Sequence, residues 1–275
     1  MKLTVVGCSG SLSGPESPAS SYLLQAPYQD RIFSLLMDCG PGAMGALYRY
    51  IDPYDVDAIA LSHLHADHCL DLCGYFVAAH YSPNAPWPRR PVYGPASAAT
   101  RLANAYEVTG TNGEVSESGA SLAEHFDWHT WQASQRIGPF VVRTTRVAHS
   151  VEAFGIRVEE DTPSGGAMVY SGDTGPSADL INLANGADLL LVESAFLDDP
   201  GNPPGLHLSG AQAAALGQAA RVRAVVITHI PPWHEPARVL AEAKPHFDGP
   251  VSLATPGAAW EITRGVNDAA RASRA

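Results

Sequence analysis

The segment SHLHADHC, residues 62–69, sets His63, His65, Asp67 and His68 within six positions. Imidazole and carboxylate together are donors for divalent transition metals. Two histidines one residue apart point the same way in an extended segment, so His63 and His65 can share an ion. Asp67 and His68 are consecutive, and a turn after His65 would aim them at a second position a few ångströms away, as in two-metal hydrolases. A catalytic ion with an open position wants about three protein ligands. The loop therefore supplies two half-built sites, and the missing donors must come from elsewhere in the chain.

The elements able to bring them are strands. β-branched runs bounded by Gly, Pro or Asp occur at 2–8, 21–27, 34–40, 57–63, 140–149, 154–160, 167–173, 187–194, 224–230 and 250–255. Helical spacing of apolar residues marks 41–51, 69–81, 96–110, 208–222 and 235–247. Several strands precede the first helix, so the chain is not a simple βαβ repeat. His63, His149, Asp173, Glu193 and His229 each stand at or just past the C-terminal end of an apolar strand, where side chains project into a shared crevice.

The bulk properties narrow the class. With 275 residues and 45% apolar content the chain can bury a large core. The Pro/Gly-rich stretches 82–95 and 200–205 read as ordered loops rather than linkers. The expectation is one domain over 1–265 and a short flexible tail at 266–275, while residues 111–137 give no reading. The opening MKLTVVGC has an apolar run of only about four residues, too short for a signal segment, and reads as an edge strand. No run is long enough to span a bilayer. Four cysteines without framework spacing point to a reducing, cytoplasmic setting. The net charge is −11, and only Lys2 and Lys244 are lysines. Arg89 and Arg90 form the one adjacent basic pair, so no stripe exists to neutralise a long nucleic acid. A homodimer is left open.

The chain resembles the metallo-β-lactamase superfamily along nearly its whole length. The residues that carry the resemblance are MDCGPG, with Asp38 and Gly40, then His63, His65, Asp67 and His68, His149 in TTRVAHS, Asp173 in YSGDTGP and His229 in VVITHIP. The resemblance implies an α+β fold: an αββα sandwich of two mixed β-sheets packed face to face with helices outside. It also implies that one metal takes His63, His65 and His149, that a second takes Asp67, His68 and His229, and that Asp173 bridges them. Zn2+ suits these donors, with Mn2+ or Fe accepted. LLVESAF (190–196) and HLSGAQAAALGQAA (207–220) are similar to the tRNA 3′-processing endonuclease (RNase Z) and phosphodiesterase branch, in which the histidine matching His207 sits beside the scissile phosphate rather than on a metal.

The chain departs from the tRNA enzyme in two places. Only residues 150–172 lie between His149 and Asp173, leaving no room for a tRNA-gripping arm, and His229 is followed by IPPWHEP rather than Phe-Ser-x-Arg-Tyr. The expected activity is therefore hydrolysis of a small cyclic nucleotide, 3′,5′-cyclic AMP foremost, by hydroxide formed between two metals. Asp67 and His207 are the expected catalytic groups, Glu193 is the partner that holds His207, and Trp233 and His234 are the expected substrate contacts. A His207 that opens a helix would sit near free N–H groups, which favour a phosphate and lower a histidine's pKa. The alternatives are a tRNA 3′-processing endonuclease, a thioester or lactone hydrolase, and a metal-binding protein without turnover.

Overall fold

Strand runs such as SYLLQAPY are apolar at odd and even positions alike, which suits strands covered on both faces. The structure, a computed structural model, describes residues 1–106 and 121–265. Within them lie two seven-stranded sheets. The first runs in the order β14 (Ala259–Glu261), β1 (Lys2–Gly7), β2 (Ser21–Tyr28), β3 (Arg31–Met37), β4 (Ala58–Ala60), β5 (Pro91–Gly94) and β6 (Asp127–Thr130). The second runs β13 (Val251–Leu253), β12 (Val225–Thr228), β11 (Leu189–Glu193), β10 (Ala167–Tyr170), β9 (Phe154–Glu160), β8 (Phe140–Arg146) and β7 (Ser134–Ile137). Each sheet is antiparallel on one side and parallel on the other. The change falls between β3 and β4 in the first and between β10 and β11 in the second.

Alternate residues fill three apolar layers. Leu3, Tyr22, Leu24, Leu35 and Met37 of the first sheet meet Phe140, Val142, Ile156 and Leu191 of the second. Leu23, Leu36 and Ile59 face the other way, onto α1 (Ala43–Leu47), α3 (Leu72–Tyr81) and α4 (Ala98–Tyr106). Val169, Leu190 and Val192 likewise pack on α6 (Ala178–Ala184), α7 (Gly210–Ala219) and α8 (Pro236–Ala243). Two single turns, α2 (Ala66–Cys69) and α5 (Leu122–His125), complete the helices. The result is the αββα sandwich of two mixed sheets implied by the resemblance.

Several details differ from the sequence reading. β1 is not an edge strand, because β14 pairs with it on the side away from β2. β14, β6 and β7 are three or four residues long, too short for a period-2 signal. β5 begins at Pro91 inside the stretch read as loop; the first residue of a strand is a position where proline is tolerated. The helix expected over 69–81 starts at Leu72, after α2 ends at Cys69. α6, capped by the Ser177 hydroxyl accepting from Leu180 N–H, follows the glycine-rich metal loop and was hidden by it. Residues 107–120 and the tail 266–275 lie outside the described residues. Among those described, no helix is long and apolar enough to cross a membrane.

One buried polar contact ties the sheets together. The Tyr22 hydroxyl is 2.7 Å from the Thr228 hydroxyl, and its ring packs on Tyr170 at 5.0 Å. Tyr22→Phe keeps the ring but strands the Thr228 hydroxyl, and should lower unfolding free energy by about 1–2 kcal/mol. A urea midpoint that falls at constant m is the expected result.

Candidate metal centre

In sheets with parallel strands, ligands sit beyond the strand C-termini, and here strand ends of both sheets bring their donors together. β3 leads to Asp38, β4 to Ser62 and His63, β10 to Asp173, β11 ends in Glu193, β12 leads to His229 and β8 to His149. His65 is extended at φ −66° and ψ 152° and precedes α2, whose turn carries Asp67 and His68 round to a second position. Gly40 lets this loop dock, since a Cβ there would lie 2.0 Å from the Asp67 carbonyl oxygen.

The seven expected donors form two sets around Asp173. In the first, His65 Nδ1 is 3.1 Å from both His63 Nε2 and His149 Nε2, and Asp173 Oδ2 is 3.6 Å from His63 and 3.9 Å from His149. In the second, His229 Nε2 is 3.1 Å from His68 Nε2 and from Asp67 Oδ2, and Asp173 Oδ1 lies 3.2 and 3.4 Å from those two imidazoles. Four donors set tetrahedrally ~2.0–2.1 Å from an ion stand about 3.3 Å apart. The spacing therefore fits a metal, and Asp173 presents a different oxygen to each set. Asp173 Oδ1 is buried without a well-directed donor, an arrangement that a cation would relieve.

Three of the ring nitrogens facing away are held by the protein, whereas His229 Nδ1 is buried without a hydrogen-bond partner among the described residues. His149 Nδ1–H donates to the Leu206 carbonyl at 2.9 Å, and His63 Nδ1–H to the Ser62 hydroxyl at 3.1 Å. His68 Nδ1–H donates to Asp38 Oδ2 at 2.7 Å. Such partners fix the tautomer and turn the other lone pair toward the ion. Asp38 does more, also accepting from the Ser62 N–H, the Ser62 hydroxyl and the Tyr170 hydroxyl at 2.7–2.8 Å. The sequence reading named Asp38 as a motif residue without giving it this task; its place at a strand end was the available signal.

The electrostatics suit a cation. Burial pushes the His63 pKa well down, and neighbouring histidines add to this against Asp173. His65 is lowered by burial and then by His149. Both rings thus favour the neutral form a ligand needs, whereas at His68 burial is outweighed by Asp173 and Asp38, which raise its pKa well above the usual value. Burial opposes charge on Asp67 and Asp173 too, yet the surrounding histidines hold both carboxyls well below the usual range.

His207 stands at the rim, its ring 5.3 Å from that of His149 and 5.8 Å from that of His229. Its Nδ1–H donates to Glu193 Oε1 at 2.8 Å. Glu193 is fully buried and also accepts from the Thr174 and Ala195 N–H groups at 2.9 Å. Glu193 thus accepts from His207 and from backbone N–H groups at once. His207 does not open a helix. α7 begins at Gly210, and Ser209 and Gln212 close a capping box over its first N–H groups. The expected lowering of the His207 pKa is consequently reversed: burial opposes protonation, but the Glu193 hydrogen bond and charge outweigh it and raise the pKa.

Trp233 and His234 lie in the turn that follows His229. Trp233 is 61% exposed, and His234 lines a cavity of about 310 Å3 with Cys8, Thr228, Ile230 and Leu253 that includes none of the seven donors. A turn in which the His234 N–H donates to the Pro231 carbonyl carries both residues onward from His229.

Comparison with known proteins gives a consistent picture. The model of the β-lactamase superfamily domain matches residues 34–230. An uncharacterized protein of Mycobacterium tuberculosis is 43% identical over 96% of this chain and 93% of its own length. The probable metallo-hydrolase YhfI of Bacillus subtilis is 27% identical over 95% of this chain and 100% of its own. The YhfI crystal structure superposes with a TM-score of 0.78, covering 94% of this chain and 99% of that one. A ribonuclease Z of Myxococcus xanthus is 27% identical over 83% of this chain and 88% of its own.

The Asp38 cluster yields a direct expectation. Asp38→Asn replaces an acceptor with an amide N–H facing either His68 or Ser62, so metal affinity should fall 10- to 100-fold, roughly the scale for an outer partner. Competition with a chromophoric chelator measures this, and circular dichroism should show the fold retained. Affinity equal to that of the parent would refute the orienting role.

Proposed function

The chain belongs to the β-lactamase superfamily, and from that premise we propose that it is a dinuclear metal-dependent phosphodiesterase that hydrolyses a small cyclic nucleotide, 3′,5′-cyclic AMP, to AMP. The observation that carries the reading is the His207–Glu193 pair, an imidazole outside both donor sets, held at 2.8 Å by a buried carboxylate. A lactone or thioester hydrolase has no need of a second proton carrier at that place.

Two divalent cations, zinc or else manganese or iron, held by His63, His65 and His149 and by Asp67, His68 and His229 with Asp173 between, would supply Lewis acidity toward phosphoryl oxygens and water ionised near neutral pH. The chain's own groups do the rest. Glu193 keeps the Nδ1 proton on His207 and favours the imidazolium, leaving Nε2–H to meet the substrate. That proton can stabilise a non-bridging oxygen or pass to the leaving ribose oxygen. Asp67, a buried donor on α2, can also orient the attacking water. Because β9 and β10 fill the stretch between His149 and Asp173, and the net charge is −11, a single phosphodiester suits the site better than a tRNA.

His207→Ala should retain the parent's two metal equivalents by elemental analysis while kcat on cyclic AMP falls ~10²- to 10⁴-fold, the scale of one acid-base group. Hydrolysis of bis-p-nitrophenyl phosphate, with its good leaving group, should fall less. Equal losses, or a lost metal, would show that His207 does not deliver the proton.

Substrate class is tested with cyclic AMP and precursor tRNA side by side, with and without chelator. Turnover of cyclic AMP should show a shallow salt dependence, whereas a binder with about six phosphate contacts loses ~10³-fold or more between 50 and 200 mM salt. Cleavage of the tRNA without turnover of cyclic nucleotide would overturn the proposal in favour of the endonuclease.

A further inference from the structure

The metal centre opens sideways as well as outward. A groove of about 570 Å3 shares His65 with the first donor set and is bordered by Ser97 just before α4, by Thr100, Arg101 and Asn104 along it, and by Val151 and Glu152 after β8. Positions 97, 100, 101 and 104 follow i, i+3, i+4, i+7 spacing and so form one helix face, while Ala98 and Leu102 are buried in the core behind. A polar stripe on a helix is ordinary. One that borders a cavity of ligand size beginning at a metal donor is not.

The lining indicates which part of a substrate belongs there. Among the described residues, Arg101 is the one cationic side chain bordering the groove, and it is accompanied by two hydroxyls and an amide. Glu152, ion-paired with Arg146, brings a carboxylate that a second phosphate would have to approach. Val151, 41% exposed, offers an apolar surface. A flat, neutral ring with acceptors along one edge satisfies all three features. A guanidinium matches a purine edge with two acceptors, and a carboxamide matches one with an acceptor beside a donor, each in a two-point contact.

We propose that this groove is the nucleobase subsite: with the phosphodiester at the metal centre, the base lies along α4, its edge on Arg101 and Asn104 and one face over Val151. The assignment rests on the phosphodiesterase reading and names the part of the substrate which that reading leaves unplaced. A base is one ribose away from its phosphate, and the groove starts at His65.

The test compares Arg101→Ala and Asn104→Ala with the parent on a cyclic purine nucleotide and on bis-p-nitrophenyl phosphate, which has no nucleobase. The ratio of kcat/KM between the two substrates should fall about 10- to 100-fold, the scale of one two-point base contact, through a raised KM for the nucleotide and with metal content retained. An unchanged ratio overturns the subsite. Saturation-transfer NMR with adenosine on the metal-loaded protein reads the groove without any turnover. Adenosine signals present in the parent and weakened in Arg101→Ala support it even where no phosphodiester is cleaved, an outcome that would sink only the phosphodiesterase reading. Absence of adenosine signals in the parent overturns it. So does tighter binding of ADP than of AMP that is lost in Arg101→Ala, which would put a second phosphate at Arg101.

Discussion

A carboxylate removed from water is stable only when its lone pairs are filled, and Asp38 fills its own with groups from three separate parts of the chain. Ser62 gives an N–H and a hydroxyl from the metal loop, His68 gives Nδ1–H from α2, and Tyr170 gives a hydroxyl from the opposite sheet. The Ser62 hydroxyl in turn accepts from His63. One buried anion thus sets the orientation of a histidine in each donor set and fastens them to both sheets. Loss of its geometry would loosen both sets together, because removing one partner from a buried hydrogen-bonded charge leaves the others exposed to its full desolvation penalty.

The backbone around this anion is held against its local preference. Asp38, His229 and Ser11 have φ of 55°, 57° and 64°, a region that costs non-glycine residues ~1–3 kcal/mol and persists only where surrounding structure fixes it. Here the fixing is visible. Asp38 N–H donates to the Ala60 carbonyl, His229 N–H to that of Cys8, and Cys39 N–H to that of His68, at 2.7–3.0 Å. Gly172, at φ 56°, lets the chain turn between Ser171 and Asp173 where a Cβ would stand 2.9 Å from the Phe154 carbonyl oxygen. The three apolar layers stabilise the sandwich strongly enough to carry these local strains, which is where functional sites commonly store them.

The His207 environment follows the same logic from the second sheet. Glu193 ends a fully buried strand, so its carboxylate had to be satisfied, and backbone N–H groups of Thr174, Ala195 and Leu208 share the task with His207. The capping box of Ser209 and Gln212 then anchors the chain just beyond it. His149 is linked to the same segment through the Leu206 carbonyl, so a histidine of the first donor set and the His207 imidazole at the rim are positioned by adjacent residues.

The sequence determined the donors and the architecture. Side-chain chemistry and spacing in SHLHADH are local properties, and apolar strands ending in His, Asp or Glu declare a site at strand ends wherever the strands come to lie. It also determined that Glu193 would need a partner, since a carboxylate at the end of so apolar a run cannot reach water. What only the tertiary structure decided is everything that depends on which ends meet. The His207 pKa rises rather than falls because a carboxylate fourteen residues away in the chain reaches its ring, and a helix cap read from the sequence cannot foretell that. Asp38 became the anchor of the centre because Tyr170 approaches it from the other sheet. Arg101 and Asn104, remote from the metal loop in the sequence, border the groove at His65. Neighbourhood in space is fixed by sheet pairing and layer packing, which are long-range, so residues placed by their own type were legible and residues placed by their neighbours were not.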